Sequence, residues 1–405
     1  MNGRLGFGVF LAPHHPIGEH PTLQIRRDIE LAEYLDELQF DEFWCGEHHS
    51  GGWETIASPE MFLAAAAEHT HRIKLGTGVV SVPYHHPFTV AQRIVQLDHI
   101  SRGRAMLGVG PGALPSDAAM LGIDPMHQRE QMDEGLGVMI RLLTEKEPIT
   151  VDGSWYKLRD AALHLRPLQK EIPCAVASMI SPAGMKSAGK HGVGVLSVGS
   201  YSPEGLTALK TQWSFAETSA KEHGKRVDRA NWRIVMPFHL SDSKEQALHE
   251  VADGLKRWNN EYIVGIIGRP DGKDFDDGYQ AAKMMDELGG GIFGTPEDAL
   301  VKLKRLQEIA GGFGTILAFA HDWAPRDKML KSYELIARYV MPRCQGLLDS
   351  VDQSAARVTA HKEALMASAT GAIMKAISED ERARAAMAAT VAGPFNIAPA
   401  QAVKK

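Results

Sequence analysis

At 405 residues, with 44% apolar and 23% charged positions and a net charge of −6, the chain has an ordinary globular composition and no basic surface for nucleic acid or anionic membrane. Its three cysteines, Cys45, Cys174 and Cys344, are scattered without metal-type spacing or a disulfide framework, which fits a reducing cytoplasm. No run reaches membrane-spanning length, and Met1-Asn2-Gly3-Arg4-Leu5-Gly6 lacks the apolar segment of a signal peptide, so a cytoplasmic enzyme without membrane or nucleic-acid partners is the expectation.

Residues 5–10 read as a first strand, ended by Pro13-His14-His15-Pro16. Apolar residues at helical spacing then predict a helix over 23–38, with Thr22 as its N-cap. Residues 41–45 are the second strand, followed by an Ala-rich helix over 59–69 with Pro59 in its first turn. A third strand spans 73–80, and Tyr84-His85-His86-Pro87 opens a helix that runs to Ile100. A fourth strand over 104–109 and a helix over 128–143 follow. Short buried strands at 174–177 and 192–196 flank a helix starting near Pro182, and 233–240 and 315–319 complete the set. Eight strands alternating with helices favour a closed (β/α)8 TIM barrel, with an open doubly wound sheet as the alternative.

Two regions break the alternation. Residues 259–291 contain Gly289-Gly290-Gly291 and read as a mobile lid insertion. From about Leu347 the tail is Ala-rich and helical to about Ala388, then Pro- and Gly-containing. The expected division is a barrel over 1–345 and a helical, partly flexible extension over 346–405.

The second strand ends in Glu47-His48-His49 before a Gly51-Gly52 loop. Titratable side chains at the carboxyl end of a barrel strand are where such folds carry out chemistry, and histidine moves protons near neutral pH. His14-His15 and His85-His86 follow the neighbouring strands, which raises a metal site as one reading. Adjacent side chains of an extended segment point to opposite sides, so each pair offers about one inward imidazole. The His-x-His spacing that would serve a metal is missing, although His321-Asp322 after the last strand keeps a metallohydrolase as a rival.

Gly108-Val109-Gly110-Pro111-Gly112 is not a dinucleotide fingerprint, because its third glycine comes too early and Pro111 lacks an amide donor. Its bare backbone, like Gly76-Thr77-Gly78, would let a flat ring lie close; tight barrel packing is the competing explanation. Ser178-Met179-Ile180-Ser181-Pro182 leads into a helix and offers either an anion site or simple capping by Ser181. A phosphate site, glycine-lined strand ends and inward histidines together suit a mononucleotide such as FMN across a barrel mouth. Phe10, Trp44, Trp53, Phe293 and Phe319 are available as apolar walls.

Glu47-His48-His49, Gly76-Thr77-Gly78-Val79 with His86-Pro87 behind it, Ser101-Arg102-Gly103-Arg104 and Gly294-Thr295-Pro296 occur in an order that resembles the bacterial luciferase-like flavin monooxygenases over residues 5–345. Ser58-Pro59-Glu60 and Gly110-Pro111-Gly112-Ala113-Leu114-Pro115-Ser116-Asp117 are most similar to its limonene monooxygenase-type members.

The resemblance implies a barrel that takes reduced FMN from a separate NAD(P)H-dependent flavin reductase and adds O2 to give a C4a-hydroperoxide. A small apolar compound, such as a terpene or cyclic ketone, would then be oxidised. It assigns proton exchange to His48, an orienting role to His49, and FMN contacts to Gly78, Val79, Gly110, Asp117, Ser178, Met179 and Ser181, with no metal ligand. It further implies a non-prolyl cis bond at Gly78-Val79 and, by family habit, a homo-oligomer. Gly110 and Pro111 stand where luciferase has cysteine and arginine, so that arginine's phosphate contact must be replaced or absent, and light emission is not expected. A deazaflavin-dependent hydride-transfer enzyme and a non-catalytic flavin-binding protein are the remaining rivals.

Overall fold

Apolar runs bounded by glycine and proline form the strands of this computed structural model, which describes residues 4–200, 202–269 and 272–391. The barrel strands are β1 (Gly6–Leu11), β2 (Glu42–Cys45), β3 (Lys74–Thr77) with its short continuation β4 (Val80–Ser81), and β5 (Ala105–Gly110). After a hairpin of β6 (Ile149–Asp152) and β7 (Lys157–Ala161) come β8 (Cys174–Ser178), β9 (Gly194–Ser197), β10 (Trp232–Leu240), β11 (Ile292–Gly294) and β12 (Thr315–Ala320). All barrel pairings are parallel, and β12 joins β1 while β9 joins β10, so the ring closes. The (β/α)8 expectation holds and the open sheet does not.

Side-chain alternation explains how one strand serves two layers. Phe7, Val9 and Leu11 of β1 pack outward into the core shared with the helices, while Phe10 joins the cluster inside the barrel. In β2, Phe43 and Cys45 face outward and Trp44 fills the interior. Room for that indole comes from missing side chains: a Cβ on Gly76 would lie 2.5 Å from the Trp44 ring. Below it, Arg233 grips the buried Glu42 carboxylate with two hydrogen bonds of 2.6 and 2.8 Å, and the Trp44 indole donates to the same group at 2.9 Å.

Several local expectations need correction. The strand expected over 73–80 is two pieces. Thr77 turns its hydroxyl onto Gly108, donating to the carbonyl at 2.8 Å and accepting from the amide at 2.9 Å. The Gly78-Val79 peptide is cis, and Val80 and Ser81 then pair with Val109 and Gly110. Thr22 does not cap the first helix: Pro21 begins it, and the His20 ring accepts from the Thr22 amide. A short helix at Pro115–Met120 and the β6–β7 hairpin were not expected.

At the start of the expected insertion over 259–291, the segment Trp258–Val264 is a π-helix whose Trp258 and Tyr262 are buried in a second apolar cluster with Trp53, Phe293 and Trp323. The glycine run there precedes β11, which pairs with the end of β10.

By contacts the chain divides into two units at residues 345/346. The second unit holds the helices Asp349–Glu379 and Glu381–Val391, and the longer one buries none of its residues. Residues 1–3, half of the stretch on which the signal-peptide expectation rests, and the Pro- and Gly-containing end of the tail lie outside the described residues. Among the described residues no helix is long and apolar enough to cross a membrane.

Candidate active site

The carboxyl ends of the strands surround a cavity of about 560 Å³. His48, Gly78, Val79, Gly110, Ser178, Met179 and Ser181 all line it, although they come from four different strand ends. The glycines divide into two roles. Gly76 and Gly108 make room for Trp44, which is the tight-packing reading, whereas Gly78 and Gly110 lie in the cavity wall. Phe10 and Phe319 form part of the apolar wall, but Trp44, Trp53 and Phe293 belong to packed clusters; Trp258 and Tyr262 take their place.

His49 and Asp117 are near the cavity without lining it. Asp117 holds the loop after β2: its carboxylate accepts from the His49 amide at 3.1 Å and from the Ser50 hydroxyl, and faces His48 Nδ1 at 3.1 Å. The His49 ring turns to the buried Glu47, donating from Nε2 at 2.8 Å, and His85 donates to the same oxygen at 2.7 Å. Glu47 also accepts from the Ser81 amide at 2.8 Å. Burial would raise its carboxyl, but these hydrogen bonds outweigh burial and lower it.

Donor atoms of Glu47, His49 and His85 lie within 4.8 Å of one another, close enough to share an ion. Both imidazoles are already engaged by Glu47, so hydrogen bonding alone accounts for the cluster. The other histidine pairs are used separately. His15 is bound by Asp28 and Asp322, and His86 caps the helix Pro87–Ile100. His321 stacks on Trp323 at 3.6 Å.

His48 faces a second carboxylate across its ring, with Nε2 3.2 Å from Glu54. A neutral imidazole has one N–H, so it would turn a lone pair toward one of these two anions. The geometry therefore calls for both protons. Burial opposes the charge, but Glu54, Asp117 and Glu47 outweigh it and raise the affinity of His48 for its proton.

At the other end of the cavity the Ser178 hydroxyl is buried with no hydrogen-bond partner. The helix Ala183–His191 starts after Pro182 with no side-chain cap, so Ser181 is not capping it. Ala183 and Gly184 line the cavity at this helix start, and a Cβ on Gly184 would meet the Ala177 carbonyl at 2.3 Å. Arg129 and Arg269 line the same cavity. An orphaned hydroxyl beside a helix N-terminus, in a cavity that guanidinium groups also line, fits a phosphate.

A family model described as luciferase-like monooxygenase matches residues 5–311. The chain belongs to that family. The 4-hydroxyprotoasukamycin monooxygenase of Streptomyces nodosus subsp. asukaensis is 48% identical over 87% of this chain and 95% of its own length. Limonene 1,2-monooxygenase of Rhodococcus erythropolis is 46% identical over 85% of this chain and 88% of its own. Among solved structures, the oxygenating constituent of 3,6-diketocamphane monooxygenase from Pseudomonas putida is a type II Baeyer-Villiger monooxygenase in complex with FMN. It superposes with a TM-score of 0.71 at 26% identity, covering 84% of this chain and 99% of that one.

In this luciferase-like monooxygenase, sequence reasoning missed Glu54, Tyr262, Arg129 and Arg269. Glu54 follows an unremarkable Gly-Gly loop, and Tyr262 lies in the supposed insertion. Arg129 had one available signal: it is the second residue of the helix Gln128–Thr144, which comes after the Gly110–Asp117 stretch where luciferase's arginine contact had to be replaced or absent.

Proposed function

We propose that the protein binds FMN across the barrel mouth and, with the flavin reduced by a separate NAD(P)H-dependent reductase, uses O2 to oxidise a small apolar compound such as a terpene or cyclic ketone. The observation that carries this reading is that a single cavity joins a phosphate-type end to an aromatic end through glycine-lined strand ends. Bound reduced FMN would supply the two electrons that let one oxygen atom enter the substrate while the other leaves as water.

The residues divide the work. Ser178, Arg129 and the start of the helix Ala183–His191 hold the phosphate. Gly78, Val79 and Gly110 give the ring a surface without long side chains, because a Cβ at Gly110 would already press on Val79 at 2.6 Å. Phe10, Phe319, Trp258 and Tyr262 receive the apolar substrate and keep water from the reacting atoms. His48 holds a proton at the cavity wall between these regions.

The test is oxygen dependence. Protein, chemically reduced FMN and a panel of terpenes and cyclic ketones should give no product without O2. On admission of isotopically labelled O2, the product should carry the label. Conversion without oxygen, or only with a reduced deazaflavin, would overturn the reading.

A further inference from the structure

We propose that Glu54 is the positioning residue of this site: its buried carboxylate, shared by His14, His48 and Tyr262, keeps His48 doubly protonated, so that His48 offers a proton rather than takes one. Gly51 and Gly52, at φ of 81° and 72°, turn the chain after β2 and bring Glu54 back to pair with His14 beyond β1. One carboxylate oxygen lies 3.1 Å from His14 Nε2 and the other 3.2 Å from His48 Nε2. The Tyr262 hydroxyl, on the π-helix, donates to Glu54 as well.

The Glu54 side chain is only 5% exposed, and among the described residues its partners are two imidazoles and a phenol rather than a lysine or arginine. A carboxylate this deep must be matched by charge or become protonated. His14 meets Glu54 through Nε2, and its Nδ1 has no hydrogen-bond partner. His48 has Asp117 at its other nitrogen, so it faces a carboxylate at each and needs a proton on both. A charge therefore belongs on His48. Burial would raise the Glu54 carboxyl, but His14 and His48, with the Tyr262 hydroxyl, bring it down to about 2.

The remaining charged groups around His48 do not alter the assignment. Glu47 on the same loop reinforces the proton, and His49 beside it is occupied with Glu47. Arg129 and Arg269 line the same cavity, and neither is among the groups that set the hold of His48 on its proton. Proton donation during turnover rests on the monooxygenase reading; the protonation itself does not.

NMR titration of the full chain labelled in histidine rings, with the His48 signal assigned by its loss in His48→Gln, tests the inference. Wild-type His48 should show two ring N–H groups at neutral pH and keep them well above pH 6.5, the ordinary histidine value of about that size. In Glu54→Gln its proton affinity should fall at least about tenfold, while Glu54→Asp should restore most of it. A single ring N–H in wild type overturns the proposal without any variant. An unchanged midpoint in folded Glu54→Gln overturns it too. If instead wild type fails to turn over reduced FMN and O2 while the NMR result holds, the functional reading falls and the Glu54 assignment stands.

Discussion

Arg129 and Ser178 line the same cavity from different elements, and neither can hold a phosphate by itself. A hydrogen bond to a charged group contributes about 1.5–3 kcal/mol, so Arg129→Ala should weaken FMN roughly ten- to a hundredfold. Riboflavin, which lacks the phosphate, should bind wild type and variant equally, as equilibrium dialysis of the two ligands would show. Equal losses for both would mean that Arg129 shapes the ring end instead. These two residues also mark how far a site can be read in a sequence. Ser178 was legible because Ser178-Met179-Ile180-Ser181-Pro182 places hydroxyls at a helix start, a local pattern. Arg129 and Glu54 were not, because each acquires its role only when distant segments meet. His48 could be located from the strand end, whereas its protonation depends on Glu54 and Asp117, six and sixty-nine residues further along.

Strand β2 carries both the floor of the barrel and the site. Glu42 at its start binds Arg233 across the interior, Trp44 rests on that pair with the guanidinium 5.1 Å from its ring, and His48 follows the strand's end. Removing one member of a buried ion pair leaves an uncompensated charge and costs about 3–5 kcal/mol. Glu42→Ala should lower the free energy of unfolding in urea by about that much, and pairing it with Arg233→Met should recover a large part. A loss as large in the double variant as in Glu42→Ala would locate the cost in lost packing rather than in the stranded charge. The elements most legible in sequence were those with a long period, such as the helix Pro59–His69, whose bounds were anticipated. Legibility failed where side chains replace backbone pairing, as Thr77 does before Gly78, and where an element is very short, as in β11. The aromatic walls were half read: hydrophobicity marks Trp44 and Trp53 as buried but cannot distinguish a packed core from a cavity wall.

The whole ring closes where β1 meets β12, and a charged cluster clamps the loops at that seam. His15, following β1, directs Nδ1 to Asp322 after β12 at 2.7 Å and Nε2 to Asp28 on the first helix at 2.9 Å. Arg27 reaches the same Asp322 at 2.6 Å. Burial by itself would weaken the hold of His15 on its proton, but hydrogen bonds and charge from the two aspartates outweigh burial and raise its pKa to about 9. The unfolded chain has the ordinary value of about 6.5, so the folded barrel binds this proton more tightly. The resulting stabilisation is complete below about pH 6.5 and is lost as the pH rises through about 9. Thermal unfolding should therefore move to lower temperature between pH 6.5 and 9.5, by an amount on the order of 1–3 kcal/mol of stability. His15→Gln can still bridge the two aspartates by one amide but has no proton to lose, so it should be less stable at pH 6.5 and nearly flat across the interval. If wild type and His15→Gln lose stability in parallel as the pH rises, the seam is not the titrating element.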